Sequence, residues 1–80
     1  MANWRPTEEA RLKMQIRGIP GQLVEEVLDN GKDAGSGTVR GSKVRDLTLE
    51  DGCVVRVVFF PDPDEDIVFS VHWIEPKVRR

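Results

Sequence analysis

The chain has 80 residues, of which 39% are hydrophobic and 32% charged, which predicts a single domain over 1–80 and excludes a disordered chain. No apolar run approaches the roughly 18 residues of a membrane span, and no apolar signal core follows the N-terminus, so we expect a cytoplasmic protein with no membrane contact. The net charge of −2 and the pI of about 5.3 argue against strong non-specific binding to nucleic acid.

Metal sites are not indicated by the sequence. The single cysteine, Cys53, can form neither an internal disulfide nor a cysteine-based zinc site. Asp62, Asp64 and Asp66 alternate along the chain, but the central glycine and terminal glutamate of a calcium-binding loop are missing. We therefore predict neither a metal nor a cofactor.

A first helix is predicted from Thr7 to about Arg17. Residues 1–5 precede it and are expected to be frayed, although Trp4 can fold back onto the core. Thr7 suits the helix N-cap, and Gly18 suits a left-handed residue after the last turn. Apolar residues four apart predict one broad apolar stripe on this helix: Ala10 with Met14, and Leu12 with Ile16.

A second short helix is predicted to follow, with Pro20 in its first turn and Asn30-Gly31 at its end. Its apolar residues have the spacing of a helix that lies on a sheet: Leu23, Val24, Val27 and Leu28. The glycine-containing stretch 32–37 is expected to be a flexible connection.

From residue 38 the apolar residues recur with a period of two, which is typical of strands. The predicted strands are 38–40, 43–49, 53–60 and 67–74, with a turn at Gly41-Ser42 and a break at 61–64. The expected fold is therefore α+β: two N-terminal helices packed on one face of a four-stranded antiparallel sheet.

The strand register is predicted by requiring that apolar side chains share one face. The last hairpin then pairs Phe59 with Phe69, Val57 with Val71, and Val55 with Trp73. In the preceding hairpin, a three-residue loop at 50–52 places Leu49 beside Cys53 and Leu47 beside Val55. This face is expected to pack against the helices.

On the opposite face the same register places Asp46, Arg56 and His72 in one cross-strand row. One interpretation is an exposed charge network that adds less than about 1 kcal/mol per pair. A second is that Arg56 stabilises a phosphate while His72 transfers a proton, as acid–base cleavage of RNA requires. A third is a partner-binding patch formed by the aliphatic neighbours of the row: Val54, Val58 and Ile74.

The first helix also carries a resemblance to a known family. Its residues Ala10, Met14, Arg17, Gly18 and Ile19 are similar to the motif His-Ala-x-x-Arg-Met-x-x-Arg-Gly-Ile of small uncharacterised bacterial and phage proteins. A helix ending in Asn-Gly and a valine-rich hairpin extend the similarity from about Thr7 to Glu75.

These proteins resemble the RelE/ParE and BrnT toxin superfamily, which implies a RelE-like fold of two N-terminal helices on an antiparallel sheet. The resemblance also implies messenger-RNA cleavage or gyrase poisoning, and an antitoxin as partner. The motif's histidine falls on Glu9 and its first arginine on Lys13, whereas Arg17 matches. Glutamate can serve as a general base, so the exchange at Glu9 is compatible with catalysis.

The leading hypothesis is a small cytoplasmic toxin-like protein that cleaves or binds RNA, free or on the ribosome. Its expected catalytic residues are Arg56, His72 and Glu9, with Asp46 in support. Its expected RNA-binding residues are Lys13, Arg17 and Arg45, and the expected contacts to phosphate come from Arg17, Arg45 and Arg56. The alternative is a non-catalytic module that binds a protein partner through the open sheet face or an edge strand.

Overall fold

The computed structural model of the chain describes residues 3–74. The elements along these residues, in chain order, are strand β1 (Trp4–Pro6), helix α1 (Glu8–Arg17), helix α2 (Gly21–Asn30), and strands β2 (Lys32–Ser36), β3 (Lys43–Thr48), β4 (Val54–Phe60) and β5 (Asp66–Ile74). Both helices and strands β3, β4 and β5 lie close to the predicted positions, whereas β1 and β2 were not predicted. Residues 1–2 and 75–80, including the end of the family resemblance, lie outside the described residues.

The sheet corrects the predicted fold class. It is five-stranded and mixed, with the order β1-β5-β4-β3-β2, and not a four-stranded antiparallel sheet. Strand β1 runs parallel to β5, and the other neighbouring strands are antiparallel. The RelE-like fold with an antiparallel sheet, which the resemblance implies, is therefore wrong for this chain.

Strand β1 forms where a frayed lead-in was expected. The Asp66 amide donates to the Asn3 carbonyl and the Thr7 amide to the Val68 carbonyl, both at 2.8 Å. Arg5 Nε also lies 2.9 Å from Glu65 Oε2, and the Trp4 side chain packs against the core. These contacts join segments about sixty residues apart, so periodicity within the N-terminal residues could not reveal them.

Strand β2 occupies most of the stretch that was expected to be a flexible connection. Its residues Lys32, Asp33 and Ser36 pair with β3, and an irregularity between Asp33 and Ser36 interrupts the ladder. The predicted strand at 38–40 is wrong, because these residues belong to the turn between β2 and β3. Asp33 and Gly35 give β2 low intrinsic strand propensity, so its pairing with β3 decides its conformation.

Helix α1 begins and ends as predicted. Thr7 is its N-cap, and Thr7 Oγ1 accepts a hydrogen bond from the Ala10 amide at 3.1 Å. Gly18 follows with a left-handed φ of 66°, which favours glycine, and its amide donates to the Gln15 carbonyl. Helix α2 starts soon after, with Pro20 at its N-cap instead of inside its first turn.

The predicted single apolar stripe on α1 is wrong. Ala10 is fully buried and Met14 half-buried against the core, whereas Leu12 is 56% and Ile16 80% exposed. Successive helix residues are rotated by about 100°, which places the two pairs on opposite sides of the helix. Helix α1 packs mainly against β5, next to the edge of the sheet, and only its Ala10 side is covered.

The predicted register is confirmed along most of the sheet. Val57 pairs with Val71, Val55 with Trp73, and Leu47 with Val55. The pairing of Phe59 with Phe69 is wrong, because a register shift after Val58 pairs Phe59 with Val68. Phe69 is the additional residue at this β-bulge, which frees it from the buried face.

The core lies between the helices and one face of the sheet. Helix α2 contributes through its contacts with β3 and β4, and its predicted apolar spacing is confirmed at Val24, Val27 and Leu28. The buried core residues are Ala10, Ile19, Val24, Val27, Leu28, Val55, Val57, Phe59, Val68 and Val71. Within residues 3–74, neither helix has the length and apolar character needed to cross a membrane.

Candidate functional site

The predicted cross-strand row is present on the sheet face opposite the core. Asp46 on β3 pairs with Arg56 on β4, and Arg56 pairs with His72 on β5. The register that buries Val55 and Val57 fixes this row, since adjacent residues of a strand point to opposite faces. The three polar side chains are half-buried.

Arg56 is held by Asp46 in a bidentate ion pair. Arg56 Nε donates to Asp46 Oδ1 and Arg56 Nη2 to Asp46 Oδ2, each at 2.8 Å. This hydrogen bonding raises the pKa of Arg56 above its ordinary value, so the guanidinium stays charged. Two parallel bonds fix the plane of the guanidinium, and the carboxylate offsets much of its charge.

His72 is the neighbour of this pair on β5. Loss of solvent around the ring lowers the pKa of His72, and the positive charges of Arg17 and Arg56 lower it further. Asp46 acts in the opposite direction, with a smaller effect than the two arginines. The imidazole is consequently neutral at pH 7, with Nδ1 lying 3.4 Å from Ser70 Oγ. A neutral imidazole can accept a proton.

The row borders a cavity of about 450 Å³. Strands β3, β4 and β5 form its floor, helix α1 forms one wall, and the end of β2 with the following turn forms the other. The lining residues are Glu9, Lys13, Ser36, Gly37, Thr38, Val44, Arg56, Val58, Phe69, Ser70 and His72. Four residues predicted to act in a site thus line one cavity: Glu9, Lys13, Arg56 and His72.

Glu9 and Lys13 reach the cavity because α1 lies along β5. Lys13 Nζ lies 3.6 Å from Glu9 Oε2, one helical turn away. The Glu9 side chain is 75% exposed and the Lys13 side chain 39%, so both can reorient towards a ligand. Glu9 and His72 are far apart in the sequence, yet both line this cavity. The strand register alone did not predict that they would meet.

Arg17 and Arg45 do not line the cavity. Arg17 Nη1 donates to the Val71 carbonyl at 2.9 Å, which attaches α1 to β5, although its charge still acts on His72. Arg45 lies on the core-facing side of β3. It donates to Asp33 Oδ1 at 3.1 Å and to the Leu28 carbonyl, and its guanidinium lies over the ring of Phe59. These contacts join β3 to β2 and α2, so Arg45 stabilises the fold on the side of the sheet that faces the core.

The sheet face is less open than the sequence suggested. Val44 and Val58 are 7% and 9% exposed, and the turn between β2 and β3 passes close to Val58 at Gly37. Val54 and Ile74, expected in a partner-binding patch, are half-buried. The turn therefore converts part of an apolar sheet face into one side of the cavity.

Phe69 and Ser70 are lining residues that sequence reasoning did not assign to a site. The bulge that brings Phe69 to this face has no distinct signal in the sequence, since the residues around it continue a regular valine and phenylalanine pattern. Ser70 was placed beside the polar row by the register, but no role was inferred for its hydroxyl.

No metal-binding cluster of three or more His, Cys, Asp or Glu side chains occurs within the described residues. Cys53 lies in the loop between β3 and β4, immediately before β4, and does not line the cavity that His72 borders. Loss of solvent and the neighbouring Asp51 raise the pKa of the Cys53 thiol above its ordinary value. The thiol is therefore protonated at neutral pH, which makes it a poor nucleophile.

Comparisons of the chain with protein-family models, curated proteins and solved structures found no match.

Proposed function

We propose that this protein binds RNA in the cavity between α1 and the sheet and cleaves the RNA backbone by acid–base chemistry. The observation that carries the proposal is the convergence of Glu9, Lys13, Arg56 and His72 on one cavity. In phosphodiester transfer from a 2′-hydroxyl, an imidazole or a carboxylate can accept the proton, and cations can stabilise the charge that develops on the phosphate.

In the proposed reaction, neutral His72 accepts the proton of the 2′-hydroxyl, and the 2′-oxygen attacks phosphorus. The bond from phosphorus to the 5′-oxygen breaks, and the leaving oxygen takes a proton from water. The products are a 2′,3′-cyclic phosphate and a 5′-hydroxyl. Lys13 and Arg56 stabilise the negative charge that develops on the phosphate, and Glu9 is the alternative proton acceptor.

The charges around His72 support RNA binding, although the net charge of the chain does not. Although the chain carries −2 overall, the cations Lys13, Arg17 and Arg56 outnumber the carboxylates Glu9 and Asp46 around His72. Binding would therefore depend on the cavity and not on a broad basic surface, with a shallow dependence on salt.

The test is incubation of the purified protein with single-stranded RNA, with product ends identified by mass spectrometry. We expect a 2′,3′-cyclic phosphate, and no cleavage where the RNA carries a 2′-deoxy residue. His72→Gln and Lys13→Gln are expected to lower the rate at least tenfold. Glu8→Gln is the matched control for Glu9→Gln, because Glu8 lies on the same helical turn outside the cavity. Unchanged rates in the His72, Lys13 and Glu9 variants would refute the proposal.

An RNA-cleaving protein in the cytoplasm needs restraint, so the proposal extends to toxin-like behaviour and to a neutralising protein partner. We expect expression of the wild-type chain to arrest growth and His72→Gln to relieve the arrest. If both proteins accumulate equally and both arrest growth, the toxicity does not come from this cavity.

A second candidate function is non-catalytic binding of a protein partner. Exposure of Leu12 and Ile16 on the outer side of α1 favours it, because paired large apolar side chains on a helix surface are typical of interfaces. The wild type distinguishes the two functions, because it should cleave RNA under the first and show neither RNA cleavage nor RNA binding under the second. Under the first function, Leu12→Ser/Ile16→Ser should also retain RNA cleavage.

A further inference from the structure

Phe69 gives the floor of the cavity an aromatic ring. At the β-bulge Phe59 pairs with Val68, so Phe69 leaves the core-facing side and lines the cavity with Ser70 and His72. Its ring packs on Phe60 with a centroid distance of 5.0 Å and an interplanar angle of 29°. This stacking supports one face of the Phe69 ring, and the side chain is half-buried.

We infer that the cavity binds an unpaired nucleobase against Phe69 while the phosphate of the same nucleotide contacts Lys13 or Arg56. The inference rests on the proposed function and specifies its ligand as single-stranded RNA. An aromatic ring beside cationic groups is how proteins bind bases without reading their sequence, since every base has a π face.

The rest of the lining agrees with this ligand. Buried Val44 and Val58 lie on the floor and provide apolar contacts for a planar ring. Ser36 and Thr38 line the wall opposite α1, and their side chains carry hydroxyls that can bond to polar base edges. A cavity of about 450 Å³ is within the range of small-ligand sites and admits one nucleotide.

The wall opposite α1 is held close to the floor. A Cβ added at Gly37 would collide with the Ser42 hydroxyl and lie 2.9 Å from Val58 Cγ1, so only glycine permits this approach. The resulting recess accepts a base that has left its stack. A base in a duplex is covered on both faces by its neighbours and cannot enter.

The inference is tested by nuclear magnetic resonance titration of the 15N-labelled full chain with adenosine 5′-monophosphate, ribose 5-phosphate and inorganic phosphate. None of these ligands can be cleaved by attack of a 2′-hydroxyl on an internucleotide phosphate, so binding is measured apart from catalysis. We expect the nucleotide to bind about five- to a hundredfold more tightly than ribose 5-phosphate, with shifts centred on Phe69. Equal affinities would overturn the inference.

Phe69→Leu keeps an apolar side chain and is expected to abolish the preference for the nucleotide, while Phe69→Tyr restores it. Trp73→Phe is the control, because Trp73 is an exposed aromatic residue outside the cavity lining. Retention of the preference in a folded Phe69→Leu variant would overturn the inference. Should that variant not fold, the wild-type comparison with ribose 5-phosphate decides alone.

The outcomes separate this inference from the proposed function. RNA cleavage with no preference for the nucleotide over ribose 5-phosphate overturns the base-binding inference and leaves cleavage in place. A Phe69-dependent preference without RNA cleavage overturns the catalytic proposal and leaves base binding in place. Equal binding of a single strand and of a blunt duplex of the same sequence also contradicts the inference.

Discussion

Asp46 holds the guanidinium of Arg56 through two parallel hydrogen bonds of 2.8 Å, on the cavity side of the sheet. The pair keeps Arg56 oriented before any ligand arrives, and it also shields the positive charge. A phosphate must therefore share Arg56 with a carboxylate, whereas Lys13 is joined to Glu9 only by a 3.6 Å contact on the surface. We expect Lys13 to contribute more than Arg56 to the initial binding of an anion.

Asp46→Asn is expected to strengthen phosphate binding several-fold, because Arg56 loses its competing carboxylate. The loss of stability should stay below about 1 kcal/mol, since the pair is partly exposed to water. Asp33→Asn is the matched control: it removes the ion pair with Arg45 on the core-facing side of the sheet. Titration with inorganic phosphate measures the effect, and equal changes in both variants would contradict it.

His72 is expected to make folding pH-dependent. Because its pKa is lowered in the native state from the ordinary value of 6.5, the unfolded chain holds more protons between the two values. This contribution to stability is present above pH 6.5 and is lost as the pH falls through the lowered native pKa. Urea unfolding from pH 7.5 to 5 should show the decrease, and His72→Gln should reduce it.

Arg17 is expected to be a major cause of the lowered pKa of His72. Loss of solvent is the first cause and the charge of Arg17 the second, so Arg17→Gln should raise the pKa towards 6.5. Arg11→Gln provides the control on the same helix, since Arg11 is not among the charges that shift the pKa of His72. Nuclear magnetic resonance of the imidazole as a function of pH gives the pKa of His72 in the wild type and in each variant. A native pKa at or above 6.5 in the wild type would contradict the lowering by lost solvent and by Arg17.

Local patterns predict much of this fold, and non-local pairings account for the errors. Thr7 and Gly18 mark the ends of α1 through their own capping chemistry, and alternating valines fix the register that places Arg56 between Asp46 and His72. Strand β1 depends on pairing with a segment far along the chain, and β2 depends on its neighbour despite weak propensity.

Part of the site was predictable from the sequence, and part was not. The row on the sheet follows from the register, but the cavity also requires α1 beside β5, which brings Lys13 near His72. That position depends on β1, which precedes the helix and was not expected. The β-bulge at Phe69 shifts the register between β4 and β5, and a regular alternation of residues offers no sign of it.

Gly31→Ala is expected to destabilise the protein by about 1–3 kcal/mol, because a well-packed site has no room for the added methyl group. The new Cβ would lie 2.5 Å from the Val27 carbonyl oxygen and 2.9 Å from that of Asp46, both of which are main-chain atoms. Gly21→Ala is the control: its nearest contacts are ordinary ones at 3.7 Å, and alanine favours the helix. Chemical denaturation measures both, and an equally stable Gly31→Ala variant would contradict the close approach.

The two sides of α1 are expected to respond oppositely to substitution. Ala10 has no exposed surface and packs in the core, so Ala10→Leu should cost about 1–3 kcal/mol of stability through overpacking. Ile16 is 80% exposed, so Ile16→Gln should change stability by no more than about 0.5 kcal/mol. Urea denaturation of both variants with the wild type tests the packing of α1 against β5. A larger loss for Ile16→Gln than for Ala10→Leu would mean that α1 presents its other side to the sheet, and Glu9 and Lys13 would then no longer border the cavity.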